Sequence, residues 1–544
     1  MSLSSLLMGG SYVGMTSFFT VAFLLVFLPA CIILYTLMPQ KAKKYFLLAA
    51  SVGFYWLISG TLVVYLFLTT ISIHYFGIWL DRIHRQRDEA VKAAEKPERK
   101  AIKHAYLLRS RWVLLFAAAL HIGTLLTLKY APFFTRNVNS LLGHMGLSLQ
   151  LEIPKYLLPI GISFFTMQAV SYMFDVYRET IKPDENLFRL GLFMSFFPQI
   201  VEGPICRYGQ TAEQLWNVKG ITFSNLTMGI QRILFGMMKK MVVADRLNPL
   251  IETVFSGYKD FQGGVIAIAA VCYTVQLYMD FSGSMDAVMG TAQIFGITMP
   301  ENFARPFFSK TISEFWKRWH ITLGAWFKDY IFYPVTMSKP MKNLTSAARK
   351  KIGNHFGPLL AGAVALFCVW FSNGLWHGAA WSYIFYGMYH FTLILTGNII
   401  APAVQWTNKK LHINPEWFGY RLFQILRSCI LVVIGELFFR AEGLRNGFAM
   451  FKGMVTDFRF STLNEDLLET LGVDIQDLII VGVTLLIVFV ISILNEKGIQ
   501  VRASLQKRNV VVRWAVLYAL ILYIIVFGAY GTGYIPVDPI YANF

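Results

Sequence analysis

GPLLAGAVALFCVWFSNGLWHGAAWSYIFYGMYHFTLILTGNIIA, residues 357–401, contains no Lys, Arg, Asp or Glu. A bilayer core about 30 Å thick takes ~20 apolar residues per helix, so this stretch reads as two membrane-spanning helices, near 357–376 and 379–402. At its centre lies His377. An imidazole at membrane depth is costly: it is either a functional group or a core histidine bonded to a carbonyl. On one continuous helix Asn373, His377 and Trp381 would share a face, while Gly374 and Gly378 would form a small stripe that lets another backbone approach.

The rest of the chain has the same character. Of its 544 residues 56% are hydrophobic and only 15% charged, with a mean hydropathy of +0.51, which excludes an ordinary soluble domain. Further apolar windows near 18–38, 45–59, 61–80, 112–128, 186–203, 223–243, 262–281, 421–438, 477–494 and 512–529 bring the expectation to roughly eleven spans plus re-entrant helices. The first 40 residues carry no charged side chain, so the N-terminal span is expected to stay as an anchor and not to be cleaved as a signal peptide.

A net charge of +18 does not point to nucleic acid here, because the basic residues are concentrated in loops. Asp81–Arg111 holds ten Lys or Arg and Arg305–Lys351 another ten. Both segments read as cytoplasmic, and both are placed to touch anionic lipid or an acidic soluble partner. The five cysteines have neither metal-site nor redox spacing. No metal is expected.

Several apolar stretches are interrupted. Pro154, Pro159 and Gly161 break one, and Pro198, Gly203 and Pro204 break another that also holds Glu202 and Arg207. Broken helices at membrane depth are tolerated only where protein or a water cavity satisfies the backbone. Asp280 and Asp286, with Ser282 and Ser284 between them, close a long apolar window, where they are suited to bind a cation, orient a histidine or cap a helix. From Thr311, capped through Glu314, the residues Ile312, Phe315, Trp316, Trp319, Leu323, Trp326, Phe327 and Tyr330 recur at helical spacing opposite Lys317, Arg318 and Lys328, which predicts one amphipathic helix containing His320. Glu436 and Arg440, four apart, are expected to pair.

Four of these segments, FFPQIVEGPICRY (196–208), MDFSGSMD (279–286), PENFARPFFSKTISEFWKRWHITLGAWFKDYIFYP (300–334) and NGLWHGAAW (373–381), together resemble the membrane-bound O-acyltransferase family, in particular its bacterial branch that acylates cell-surface polysaccharides. The resemblance spans about residues 15–400 and the last few residues. It implies an all-α polytopic membrane fold of about 11 transmembrane helices with re-entrant and interfacial helices around a central cavity. It further implies a catalytic core over 15–400, additional membrane helices over 401–530, and a tail, 531–544, with a tyrosine motif. His377 would be the general base and His320 its partner. Asp280, Ser282, Asn373, Trp376 and Arg318 would line or support the cavity, and Tyr541 would be a candidate acyl carrier.

Acyl transfer from a thioester to a hydroxyl needs a base, donors for the oxyanion and exclusion of water. A buried neutral imidazole supplies the first. There is no nucleotide loop and no G-x-S-x-G elbow, so the driving force would come from the donor, acetyl-CoA or an acyl carrier protein, with no tightly bound cofactor. The expected activity is O-acetylation of an exported, alginate-like polysaccharide from the bacterial cytoplasmic membrane, with an extracytoplasmic SGNH-hydrolase-like transferase as partner. D-alanyl transfer to teichoic acid is the alternative. A transporter or export scaffold is the reading from another class, suggested by the broken helices.

Overall fold

A computed structural model describes residues 18–461 and 464–530; Tyr541 and the tail motif lie outside the described residues. These residues form helices and connecting segments, with no strand among them. Eight helices are long and apolar enough to cross a membrane. That is fewer than the apolar windows suggest, for local reasons. Windows 45–59 and 61–80 lie on one element, Lys43–Ala93, bent at a 3-10 turn over Gly60–Leu62. Window 18–38 is a shorter helix, Ala22–Leu37, and window 186–203 contains only the short helix Leu187–Ser195.

The described residues divide into two compact units, 18–230 with 287–300, and 231–286 with 301–461 and 464–530. The first contains the long helices α1 (Lys43–Ala93) and α2 (Arg99–His144) and the shorter α3 (Ile162–Tyr177). Residues ahead of α3 run without helix up to Ile160, and Tyr55 donates from its hydroxyl to the Ile160 carbonyl at 2.8 Å, which satisfies backbone freed by the break. Gly161 then turns the chain with φ +74°. A Cβ there would overlap the Ile200 carbonyl oxygen. Gly161→Ala is therefore expected to cost roughly 1–3 kcal/mol, seen as a lowered thermal midpoint of the purified protein; an unchanged midpoint would contradict this packing.

The second unit holds most of α4 (Gly263–Ile294), then the short helices α5 (Ile312–Arg318) and α6 (Ile321–Phe327), and the spans α7 (Lys339–His377), α8 (Trp381–Lys410), α9 (Phe418–Arg440), α10 (Ile475–Glu496) and α11 (Val510–Phe527). Helices α7 and α8 form an antiparallel hairpin joined by Gly378–Ala380. They touch backbone to backbone: a Cβ on Gly374 would lie 2.6 Å from the Tyr383 carbonyl oxygen, and one on Gly387 would overlap that of Trp370. Small residues allow this approach where lipid supplies no hydrophobic drive.

Candidate active site

Two backbone interruptions build the site, and both correct the sequence expectation. The helix predicted to run through Thr311–Tyr330 is two helices. Its start is as expected, with the Thr311 hydroxyl accepting from the Glu314 N–H at 3.1 Å. After Arg318, however, Trp319 is extended and His320 is left-handed, with φ 44° and ψ 53°, a conformation uncommon outside glycine that histidine enters more readily than most side chains and that neighbouring backbone holds here. The segment that holds it is Asn302–Ala304: Ala304 N–H donates to the Arg318 carbonyl and Ile321 N–H to the Asn302 carbonyl, both at 2.9 Å. The apolar spacing runs unbroken across this point because α5 and α6 bury their apolar residues on both sides of it.

The second interruption follows His377. Asn373 and His377 share the last turn of α7, but Trp381 opens α8 and is 57% exposed. The three therefore do not share one helix face. The chain leaves the helix at Gly378, which is extended with φ 172° and ψ 167°, and a Cβ there would strike the Tyr383 ring, so the turn onto α8 requires glycine.

These breaks bring the two histidines to one aromatic-walled place. His320 and His377 are buried, and Trp376 lies against both rings, with centroids 5.7 Å and 5.1 Å away respectively. Phe281 of α4 packs edge-on to His320 at 4.8 Å, and Phe439 of α9 packs on His377 at 5.1 Å. Burial, reinforced by His377, holds the imidazolium of His320 well below the ordinary histidine range, so the ring is neutral at pH 7. A cavity of about 50 Å³ opens beside it between the Trp316–Phe327 segment and Val369, Trp370 and Asn373 of α7. That is room for a few waters or a group of acetyl size. The Asn373 Oδ1 is buried without a protein partner among the described residues.

The other predicted residues lie elsewhere in the unit. Asp280 pairs with Lys240 at 3.0 Å, and Ser282 accepts from Lys239 at 3.3 Å; it is Phe281, between them, that faces His320. Arg318 is held by Glu314 at 2.8 Å and Glu496 at 3.1 Å, while Lys317 and Lys328 stay exposed.

The structure adds Asn302, Tyr386 and His390, and gives Trp316 and Glu436 new partners. Asn302 meets His320 Nδ1 through its Oδ1 at 3.1 Å. Behind His377, the Tyr386 hydroxyl donates to Glu436 at 2.9 Å, and the Trp316 indole N–H donates to His390 Nδ1 at 3.2 Å. Glu436 does not pair with Arg440, which bonds Glu252 instead. The signal was present: Glu436 is an acidic residue in an apolar run, and Tyr386 and His390 are four apart on α8. The spacing to Arg440 gave a local partner that tertiary packing overrides.

Residues 161–349 match the model of MBOAT, the membrane-bound O-acyltransferase family, a stretch that includes Asp280, Asn302 and His320. The chain is 30% identical over 466 residues to a probable alginate O-acetylase of Pseudomonas syringae pv. tomato, covering 85% of this chain and 80% of that protein. It is 27% identical over 469 residues to a peptidoglycan O-acetyltransferase of Helicobacter pylori, covering 80% and 79%. With the teichoic acid D-alanyltransferase of Bacillus subtilis it shares 31% identity over 258 residues, 46% of this chain and 60% of that one. With eight membrane-length helices among the described residues, two buried histidines against one tryptophan ring and this similarity over most of its length, the chain belongs to the membrane-bound O-acyltransferase family and is a multi-pass membrane acyltransferase.

Proposed function

We propose that this protein transfers an acetyl group from a cytoplasmic thioester, acetyl-CoA or an acetyl-loaded carrier protein, to a hydroxyl on the route to an exported polysaccharide. The observation that carries this reading is the burial of His320 and His377 around one Trp376 ring, beside a cavity of acetyl size. The hydroxyl oxygen attacks the thioester carbonyl as His377 takes its proton. The tetrahedral intermediate then collapses with rupture of the C–S bond, and the leaving thiolate recovers the proton from the imidazolium, so that no proton is consumed. His320 orients the reacting groups, and the carboxamide N–H₂ of Asn373 on the cavity wall is the neutral donor for the oxyanion. The aromatic wall keeps out water that would hydrolyse the donor.

Lys317 and Lys328 attract a phosphorylated donor or an acidic carrier to this face. The setting is a bacterial cytoplasmic membrane, and a separate extracytoplasmic transferase of SGNH-hydrolase-like fold completes delivery to the glycan. Acetyl is favoured over D-alanyl because the relatives named for O-acetylation match over 80–85% of the chain, whereas the D-alanyltransferases match over 46% and 56%.

The test is turnover in proteoliposomes supplied with acetyl-CoA or with a D-alanyl-loaded carrier protein, followed by chromatography of the released thiol and mass spectrometry of the chain. Acetyl-CoA consumption that requires His377 supports the proposal. Consumption of the D-alanyl donor alone would replace the acetyl assignment, and turnover of neither would sink it. An acetyl adduct on Tyr541, lost in Tyr541→Phe, would route transfer through that residue.

A further inference from the structure

Three groups converge on one oxygen next to His320. Asn302 Oδ1 lies 3.1 Å from the Thr322 backbone N, 2.9 Å from Thr322 Oγ1 and 3.1 Å from His320 Nδ1. A backbone N–H can only donate, so the side-chain atom it meets is the amide oxygen and not the NH₂. An amide oxygen can only accept. His320 Nδ1 must therefore carry the proton, and the neutral ring presents its lone pair at Nε2. Asn302 is 0% exposed, so water does not compete for that oxygen.

We infer that Asn302 is a positioning residue for acyl transfer, fixing His320 in the Nδ1–H tautomer and holding its backbone in the left-handed turn. The second half of that role rests on the Asn302 carbonyl, which accepts from Ile321 N–H at 2.9 Å, immediately after the strained residue. An amide suits the task better than a carboxylate would. A carboxylate would fix the same tautomer but would also favour the imidazolium, whereas the neutral amide leaves the ring able to accept. His320 consequently enters the reaction as an acceptor at Nε2, not as an oxyanion donor, which leaves the donor role to other cavity groups.

Among the described residues facing His320, His377 is titratable and acts on it electrostatically; Phe281 and Trp376 are uncharged rings. Asp280, next to Phe281, shares Lys240 with Asp245, and Arg318, ahead of the turn, pairs with Glu314 and with Glu496, which also holds Arg305.

This inference rests on His320 belonging to the acyl-transfer site, and the test separates the two. The full-length protein, labelled with ¹⁵N-histidine in nanodiscs, is titrated by NMR; it has ten histidines, and His320 is assigned by its loss in His320→Gln. The wild type is expected to show a protonated Nδ1 and a bare Nε2. Asn302→Asp keeps the acceptor and should retain that tautomer, while the protonation midpoint of His320 and the acid limb of acetyl-CoA turnover both move up by roughly 1–3 on the pH scale. Thr322→Val, which keeps the backbone N–H, should leave the tautomer unchanged. Asn302→Leu should mix the tautomers, and if it does not fold the Asp variant decides alone. A wild-type signal with the proton on Nε2, or an Asn302→Asp midpoint equal to wild type, overturns the inference. If His320→Gln turns over acetyl-CoA at the wild-type rate while the wild-type tautomer is as expected, the reading of the site fails and the positioning role goes with it.

Discussion

His377→Ala is expected to lower thioester turnover by two to four orders of magnitude, the range set by removal of a positioned general base, ~10²–10⁴-fold. The loss should appear in kcat and not in KM, because the side chain acts on the hydroxyl proton and not on donor affinity. His377 closes α7 at a point where the chain must turn in any case, and its ring packs on Trp376 and Phe439. Truncation leaves a hole in that wall, so stability falls as well, and the thermal midpoint must be read beside the rate. His377→Gln fills the space without supplying a base. Equal losses in the two variants assign the effect to chemistry; recovery in the glutamine variant would assign it to packing.

Gly387→Val is expected to have the second-largest effect, through geometry. The Trp370 carbonyl occupies the place a Cβ would take, and that backbone cannot withdraw as the end of a flexible side chain would. Forcing the helices apart costs roughly 3 kcal/mol and displaces the last turn of α7, which carries Asn373 and His377. We expect a collapse in the yield of monodisperse protein and, in whatever folds, activity reduced, though by less than in His377→Ala. Gly397→Val is the control: it lies further along α8, where a Cβ meets nothing within 4 Å, and it should behave as wild type. If Gly387→Val also behaves as wild type, the α7–α8 contact is not as described.

The legible and illegible parts of this site differ for a physical reason. Absence of charge over residues 357–401 is a one-dimensional pattern, and a bilayer imposes it directly on the sequence; the hairpin of spans and the depth of His377 follow from it. The left-handed turn at His320 leaves no such trace. Its apolar neighbours keep helical spacing on both sides, and the break is imposed from Asn302 and Ala304, some fifteen residues away, through bonds that no local pattern encodes. Trp381 falls off the α7 face for a related reason: a spacing of four places residues on one face only while the helix continues, and the chain leaves it at Gly378. Glu436 stood out as a charge in an apolar run, yet its hydrogen bond from Tyr386 depends on how α8 and α9 pack. Pairwise spacing found the nearer candidate, Arg440, and not the real one.

The most direct test of the account is to locate the acyl carbonyl itself. Cryo-electron microscopy of the protein with a ketone analogue of acetyl-CoA, in which a methylene replaces the thioester sulfur and prevents cleavage, would show where that carbonyl binds. The account predicts density for it in the cavity bordered by His320 and Asn373, within hydrogen-bonding reach of Asn373 and on the His377 side of the Trp316–Phe327 segment. An analogue bound with its carbonyl away from both histidines would contradict it.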